Sequence, residues 1–129
     1  MRRDMDYVIE LLILISKNEY PTGYIHTEIE PGIADREKIN ENLKFLGHLY
    51  LLRDAGYIKV NMQYYDDTPY LYECRLTWDG NDFLDIVENE TLWARIKDSA
   101  QEKGIDLLKI PLEAITTYAK VKLNEYLGM

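Results

Sequence analysis

Hydrophobic residues recur along the 129-residue chain in two rhythms, and the longer one, near 3.6 residues, predicts helices. It predicts a helix over 4–17, where Asp4 caps the start, and a longer helix over 36–55 behind a capping Asp35. Pro111 suits the start of a last helix, because its missing N–H is not needed there. The helical rhythm thus predicts three further helices, over 78–88, 90–103 and 111–127, and the last begins at Pro111.

The shorter rhythm, in which apolar and polar residues alternate, predicts a β-hairpin in the middle of the chain. It covers 57–63 and 70–77, and the polar sequence YYDDTP between them is typical of a turn. A shorter alternation in YIHTEIE, with Ile25 and Ile29 on one side, predicts an earlier short strand. The residues expected on one side of each hairpin strand are Ile58, Val60 and Met62, then Tyr70, Tyr72, Cys74 and Leu76.

Two glycines occupy positions that this pattern explains. Gly56 follows the 36–55 helix in RDAGYI, where a positive φ closes the helix and glycine adopts it without steric cost. Gly80 shares the apolar stripe of the next helix with Phe83 and Val87, although glycine costs about 1 kcal/mol of helix propensity. We therefore expect Gly80 to lie against a neighbouring backbone.

The formal net charge of −8 argues against a surface built mainly to hold phosphates. Residues 64–90 carry most of it, with eight acidic residues against the single base Arg75, a net charge of −7. Cys74 is the only cysteine, which fits a reducing cytoplasm. The longest apolar run, YVIELLILI, is far shorter than the ~20 residues of a membrane span. These features predict a soluble, cytoplasmic protein without a membrane partner.

The order helix, strand, helix ending in AGYI, hairpin and LTxxG resembles a winged-helix domain, an α+β helix-turn-helix-like fold. In such domains AGYI closes the recognition helix and the hairpin is the wing. Over almost its whole length the chain is similar to small bacterial and phage proteins grouped as domain of unknown function 2513. The matching pieces are RDMD, LLRDAGYI, LTWDGNDFLD and NETLWARIK. The resemblance implies no activity, substrate or cofactor.

The length of 129 residues predicts one domain over 1–129. The resemblance implies a winged-helix core over 1–88 and a C-terminal helical extension over 89–129. A standard winged helix has a separate helix before the recognition helix. The turn sequence EPGIAD leaves little room for it, so its presence is left open by the sequence.

DNA binding is the first function that a winged helix suggests, but the charges argue against it. The predicted recognition helix has an outer face of Glu37, Glu41, Lys44 and His48, and its carboxylates would repel phosphates. Asp66 and Asp67 lie at the predicted wing tip, where bases would be expected. The inward stripe is expected to be Ile39, Leu43, Leu46 and Tyr50. If DNA is bound, by a dimer, the candidate contacts are Arg36, Lys38, Asn40 and Lys44.

Signs of catalysis or of a cofactor are weak. His26, His48 and Cys74 lack metal-ligand spacing, and Cys74 is expected in the core. The chain has no phosphate loop, dinucleotide fingerprint or serine elbow. We therefore expect no enzyme activity, no catalytic residues, no metal and no cofactor. The helical row Asp79, Asp82 and Asp85 could hold a cation, but a solvated acidic face is the favoured interpretation.

Protein contacts are the favoured function. The chain has eleven tyrosines, and several cluster around the hairpin, where they could form an interface or merely cover the sheet. The candidates for protein interaction are Tyr64, Tyr65, Asp79, Asp82 and Asp85. The last helix carries a stripe that either packs on its own domain or forms a homodimer: Leu112, Ile115, Ala119, Leu123 and Tyr126.

The sequence thus predicts a small intracellular interaction or regulatory protein of phage origin that acts mainly through protein contacts. One alternative is a dimeric DNA-binding transcriptional regulator. A weaker alternative is an acidic mimic of nucleic acid that occupies a basic partner.

Overall fold

The computed structural model describes residues 3–107 and 109–128, and over these the chain forms five helices and one three-stranded antiparallel sheet. The predicted mixed α+β class is confirmed. The elements in chain order are α1 (Met5–Ser16), β1 (Gly23–Tyr24), α2 (Arg36–Asp54), β2 (Ile58–Tyr65), β3 (Thr68–Leu76), α3 (Trp78–Val87), α4 (Glu90–Glu102) and α5 (Leu112–Tyr126).

The helices begin and end within a residue or two of the predicted positions, and short polar side chains cap the starts of the first four. Asp4 accepts a hydrogen bond from the backbone N–H of Tyr7, and Asp35 accepts one from that of Lys38. Thr77 caps α3 in the same manner. Each cap satisfies a backbone donor that the first helical turn leaves unpaired.

The end of α2 also has the predicted form. Gly56 has a φ of 81°, and its N–H donates to the Arg53 carbonyl at 3.0 Å. The N–H of Tyr57 then reaches back to the Leu52 carbonyl at 2.9 Å. These two bonds define a Schellman motif, which turns the chain out of α2 and directly into β2.

The sheet has the strand order β1-β3-β2, and its hairpin is longer than predicted. Asp66 and Asp67 join β2 to β3 with φ values of 49° and 65°. Two consecutive residues with positive φ are typical of the tight turn whose twist matches that of paired strands. The two aspartates therefore lie at the hairpin tip, as the sequence indicated.

The predicted strand in YIHTEIE is mostly wrong. β1 spans only Gly23–Tyr24, which pair with Leu71 and Tyr70 of β3. Ile25 is buried, but Ile29 is 58% exposed. The chain leaves the sheet after Ile25 and forms a turn at 31–33, closed by a bridge between residues 30 and 34, so the described residues between β1 and α2 include no helix.

A β-bulge corrects the predicted faces of β3. Asn61 pairs with Glu73, whereas the next β2 residue, Met62, pairs with Leu71, so Tyr72 is an extra residue in the strand. The bulge reverses the side-chain alternation. Leu71 and Cys74 therefore both face the core, whereas Tyr70 and Tyr72, which were expected beside Cys74, lie on the other face.

Gly80 lies where the helical pattern placed it, against a neighbouring backbone. A Cβ at this position would lie 2.0 Å from the carbonyl oxygen of Tyr57. The Tyr57 ring packs on Phe83 with centroids 4.9 Å apart, and its hydroxyl donates to the Leu112 carbonyl at 2.8 Å. Tyr57 thus joins the base of the hairpin to both α3 and α5.

His48 was predicted on the outer face of α2, but it is fully buried. Its Nε2 accepts a hydrogen bond from the backbone N–H of Asp4 at 3.0 Å, and its Nδ1 lies 2.8 Å from the Lys44 carbonyl. The proton therefore sits on Nδ1, and both ring nitrogens are satisfied. The His48 and Tyr7 rings meet edge-on with their centroids 4.8 Å apart, so His48 joins α2 to the start of α1.

The predicted inward stripe of α2 is correct for Ile39 and Leu46, which are buried, and wrong for Leu43, which is half exposed. Tyr50 is partly buried. The buried face also includes Phe45 and His48.

Candidate interaction surface

Four tyrosines form a continuous aromatic patch on the face of the sheet that points away from the helices, and we call them the tyrosine face: Tyr24, Tyr65, Tyr70 and Tyr72. Tyr70 lies at its centre, with ring centroids 4.8 Å from Tyr24, 6.1 Å from Tyr65 and 4.7 Å from Tyr72. The residues around Tyr70 remain about half exposed: Tyr24 is 53% exposed, Tyr65 44% and Tyr72 47%. All three strands thus contribute to one half-exposed aromatic surface.

The hydroxyl groups of Tyr65 and Tyr72 are hydrogen bonded to each other at 2.5 Å. This bond, with a smaller contribution from desolvation, raises the pKa of Tyr72 to about 12. The Tyr72 hydroxyl is therefore uncharged at neutral pH. Rings of this kind offer flat apolar area and a polar edge, which suits protein interfaces.

An acidic cleft adjoins the tyrosine face at the hairpin tip. The loop after β1 and the tip form its walls, and the His26 ring stacks on Tyr24 at 6.0 Å, so the cleft and the aromatic patch are contiguous. The His26 side chain also lies 3.5 Å from the Glu30 carboxylate. The carboxylates that line the cleft are Glu28, Glu30, Asp66 and Asp67, and we call them the acidic end.

The other end of the same sheet face is basic and carries an exposed tryptophan. Lys59 and Arg75 are direct cross-strand partners, and Trp78 is 87% exposed. The three side chains line one shallow groove, and we call them the basic end. Like charges directly opposite each other destabilise a sheet, so the pair of Lys59 and Arg75 lowers the stability of the fold.

The structure brings together only part of the predicted interaction set. Tyr65 belongs to the tyrosine face, but Tyr64 points to the opposite side of β2, where its hydroxyl contacts that of Tyr50. Tyr24 and Trp78 were missed. Nothing in the local pattern shows that β1 pairs with β3, and only the register of that pair places Tyr24 beside Tyr70.

The aspartate row of α3 is exposed, as predicted. Asp82 lies 3.8 Å from the Lys120 ammonium of α5, so one of the three carboxylates is matched within the chain. In the described part of the chain, no three His, Cys, Asp or Glu side chains converge in a way that could hold a metal ion.

The candidate DNA contacts on α2 do not form a basic patch. Lys38 lies 3.6 Å from Glu41, and Lys44 lies 3.1 Å from Asp4. The Lys44 ammonium also lies over the Tyr7 ring, 4.6 Å from its centroid. Arg36 and Asn40 are exposed near the start of the helix.

The α5 stripe packs mostly on the chain's own core. Leu112, Ile115 and Ala119 are buried against α3 and α4, whereas Leu123 is partly buried and Tyr126 is partly exposed. The self-packing alternative therefore describes most of this stripe. A homodimer through α5 stays a prediction, and its first three candidate residues already have partners within the chain.

The chain belongs to the family described as "Hypothetical protein (DUF2513)", whose model matches residues 2–106. It is also similar to an "Uncharacterized protein" of Haemophilus influenzae, with 25% identity over 128 residues that cover 99% of this chain and 100% of the relative. No solved structure matches the chain significantly. Within the described residues, no helix is long and apolar enough to cross a membrane.

Proposed function

We propose that this protein is a non-enzymatic regulatory protein of the winged-helix type that acts through protein contacts on its tyrosine face. The observation that carries the proposal is the exposure of three tyrosines, whose rings pack edge-on or tilted around Tyr70, beside the acidic end. An exposed aromatic patch with a charged rim is typical of a protein-binding site. The acidic rim favours a partner surface with Lys or Arg, whose cations also interact with tyrosine rings.

The element order supports the winged-helix type. α1, β1, α2, the hairpin and α3 follow one another as the resemblance implied, and α2 would be the recognition helix. The loop between β1 and α2 forms a turn, so the helix-turn-helix part would be reduced.

Two side chains with nucleophilic or basic groups support the non-enzymatic part of the proposal, because both are buried. Burial raises the pKa of the Cys74 thiol to about 12, which leaves almost no thiolate at neutral pH. Both ring nitrogens of His48 already have hydrogen-bond partners in the core.

The experiment that tests the proposal is photo-crosslinking in living cells. Tyr65 is replaced by p-benzoylphenylalanine, and exposed Glu102 on α4 is replaced in a matched control. We expect a protein adduct from position 65 that disappears when Tyr72→Ala is added, and no such adduct from position 102. Equal adducts from both positions, or none from position 65, would contradict a binding role for the tyrosine face.

A dimeric DNA-binding regulator is the second candidate, and the element order favours it. The ion pairs of Lys38 and Lys44 with acidic residues count against it, because phosphate contacts supply much of the affinity for DNA. Binding to fragmented genomic DNA at low salt, with a steep decrease as salt rises, would support this candidate. The absence of binding at low salt would exclude it.

A further inference from the structure

We infer that the partner of the tyrosine face is a second copy of this chain, bound through the same sheet face in antiparallel orientation. This inference rests on the proposed function and names the partner of its site. It starts from the distribution of charge along the outer sheet face. The acidic end and the basic end lie at opposite ends of one hairpin, with the tyrosine face next to the acidic end.

The two ends lie at a distance that suits direct pairing between copies. Lys59 and Tyr65 are six residues apart on β2, which corresponds to about 20 Å in a strand. A two-fold axis across the middle of the hairpin would place the basic end of each copy over the acidic end of the other. A two-fold interface requires such a self-complementary surface, because every contact occurs twice.

The basic end has the features of a surface that needs an anionic partner. Lys59 and Arg75 are adjacent like charges, and neither forms an ion pair with another described residue. Carboxylates from a second copy would remove their mutual repulsion. Their cations would also reach tyrosine rings, with which Arg and Lys interact favourably.

Trp78 supplies the apolar part of this contact. It is the first residue of α3 and is 87% exposed, although a tryptophan ring is one of the largest apolar surfaces in a protein. The antiparallel arrangement would cover it with the tyrosine face of the other copy. Trp and Tyr are the residues that most often dominate the energy of protein interfaces.

Sedimentation velocity of the full chain over a concentration series tests the inference through a charge swap. The first variant carries Lys59→Glu and Arg75→Glu. The second variant carries Glu28→Lys and Glu30→Lys with Asp66→Asn and Asp67→Asn, since asparagine tolerates the positive φ of the tip. A matched control carries Lys17→Glu and Lys97→Glu, which add the same charge away from this face. Circular dichroism confirms that each variant is folded.

We expect the wild type and the control to dimerise, and each charge variant alone to dimerise at least about tenfold more weakly. An equimolar mixture of the two variants should restore the dimer, because the first variant has carboxylates at both ends of the face and the second has cations at both ends. A monomeric wild type at all concentrations would overturn the inference, as would a dimer that neither charge variant weakens. If the p-benzoylphenylalanine at position 65 crosslinks to a different protein, the proposed function stands. Only the inference that the partner is a second copy is then wrong.

Discussion

The two faces of the hairpin differ in how their side chains are held. On the inner face, Ile58, Leu71 and Cys74 are almost fully buried by the helices. On the outer face, the tyrosines contact mainly one another, and their outer rings retain about half of their surface. One strand can therefore carry core side chains on one side and an exposed aromatic surface on the other, because successive side chains point to opposite faces.

The bulge at Tyr72 creates this division. Without the extra residue, regular alternation would place Tyr72 on the same side as Cys74, in the core. With it, neighbouring residues Leu71 and Tyr72 belong to different environments.

The largest expected effect concerns the chemical reactivity of the inner face. Because burial raises the pKa of Cys74 to about 12, its thiolate population at pH 8 should be about a thousandfold below that of an ordinary cysteine. Reaction with a disulfide reagent should be correspondingly slow and should accelerate with rising pH. The denatured chain, which should react at once, is the control. Rapid reaction of the native protein would show that the inner face opens readily.

The second prediction concerns the base of the hairpin. Gly80→Ala should lower the free energy of unfolding by about 3 kcal/mol or more, because the new Cβ would lie 2.0 Å from the Tyr57 carbonyl oxygen and the backbone must move. Urea denaturation measures this change. Asp85→Ala on the exposed side of the same helix should alter stability by about 0.5 kcal/mol at most. A Gly80 variant as stable as wild type would contradict the close packing.

The third prediction concerns the edge of the inner face. The Tyr20 hydroxyl donates to the Cys74 carbonyl at 2.9 Å and accepts from the Cys74 N–H at 2.8 Å, where β1 no longer pairs with β3. Tyr20→Phe leaves both backbone groups without this partner and should lower the free energy of unfolding by about 2 kcal/mol. Thermal denaturation measures this change. The matched variant Tyr24→Phe, on the outer face, should have little effect. Equal losses from both variants would mean that the two faces are held alike.

The smallest effect on stability is expected on the outer face. Tyr72→Ala should lower the free energy of unfolding by about 1 kcal/mol or less, since it removes cross-strand contacts on an exposed surface. At the neighbouring residue, Leu71→Ala should lower the free energy of unfolding by about 3 kcal/mol, since it leaves a cavity in the core. Chemical denaturation of the two variants compares adjacent residues directly. If their order were reversed, the assignment of the two faces would be wrong.

Part of the fold could be predicted from the sequence because it depends on a few neighbouring residues. Helix caps such as Asp35 and Thr77 need only a side-chain oxygen and a nearby backbone donor. Gly56 needs only a backbone conformation that glycine tolerates. The packing role of Gly80 followed from helical spacing alone, since an apolar stripe must face the core.

The candidate site could be predicted less completely. The acidic tip and Tyr65 were identified from the alternation and turn of the hairpin. Tyr24 was not, because it joins the surface through the pairing of β1 with β3, which are distant in sequence. Trp78 and the basic pair were not identified either, since nothing in the alternation marks the exposed start of α3 or the exact register of the hairpin. The predicted position of His48 was wrong for a related reason. Its hydrogen-bond partner in the core, the backbone N–H of Asp4, is distant in sequence.

By itself, then, the sequence determined where the helices begin and end, where the hairpin turns, and which glycine must lie against another backbone. Only the tertiary structure decided that His48 is buried, that Tyr72 faces outward and that four tyrosines meet on one sheet face. The physical reason is the separation along the sequence between the residues that interact. Caps and turns are set by interactions within a few residues, whereas burial and strand register depend on segments brought together by the whole fold.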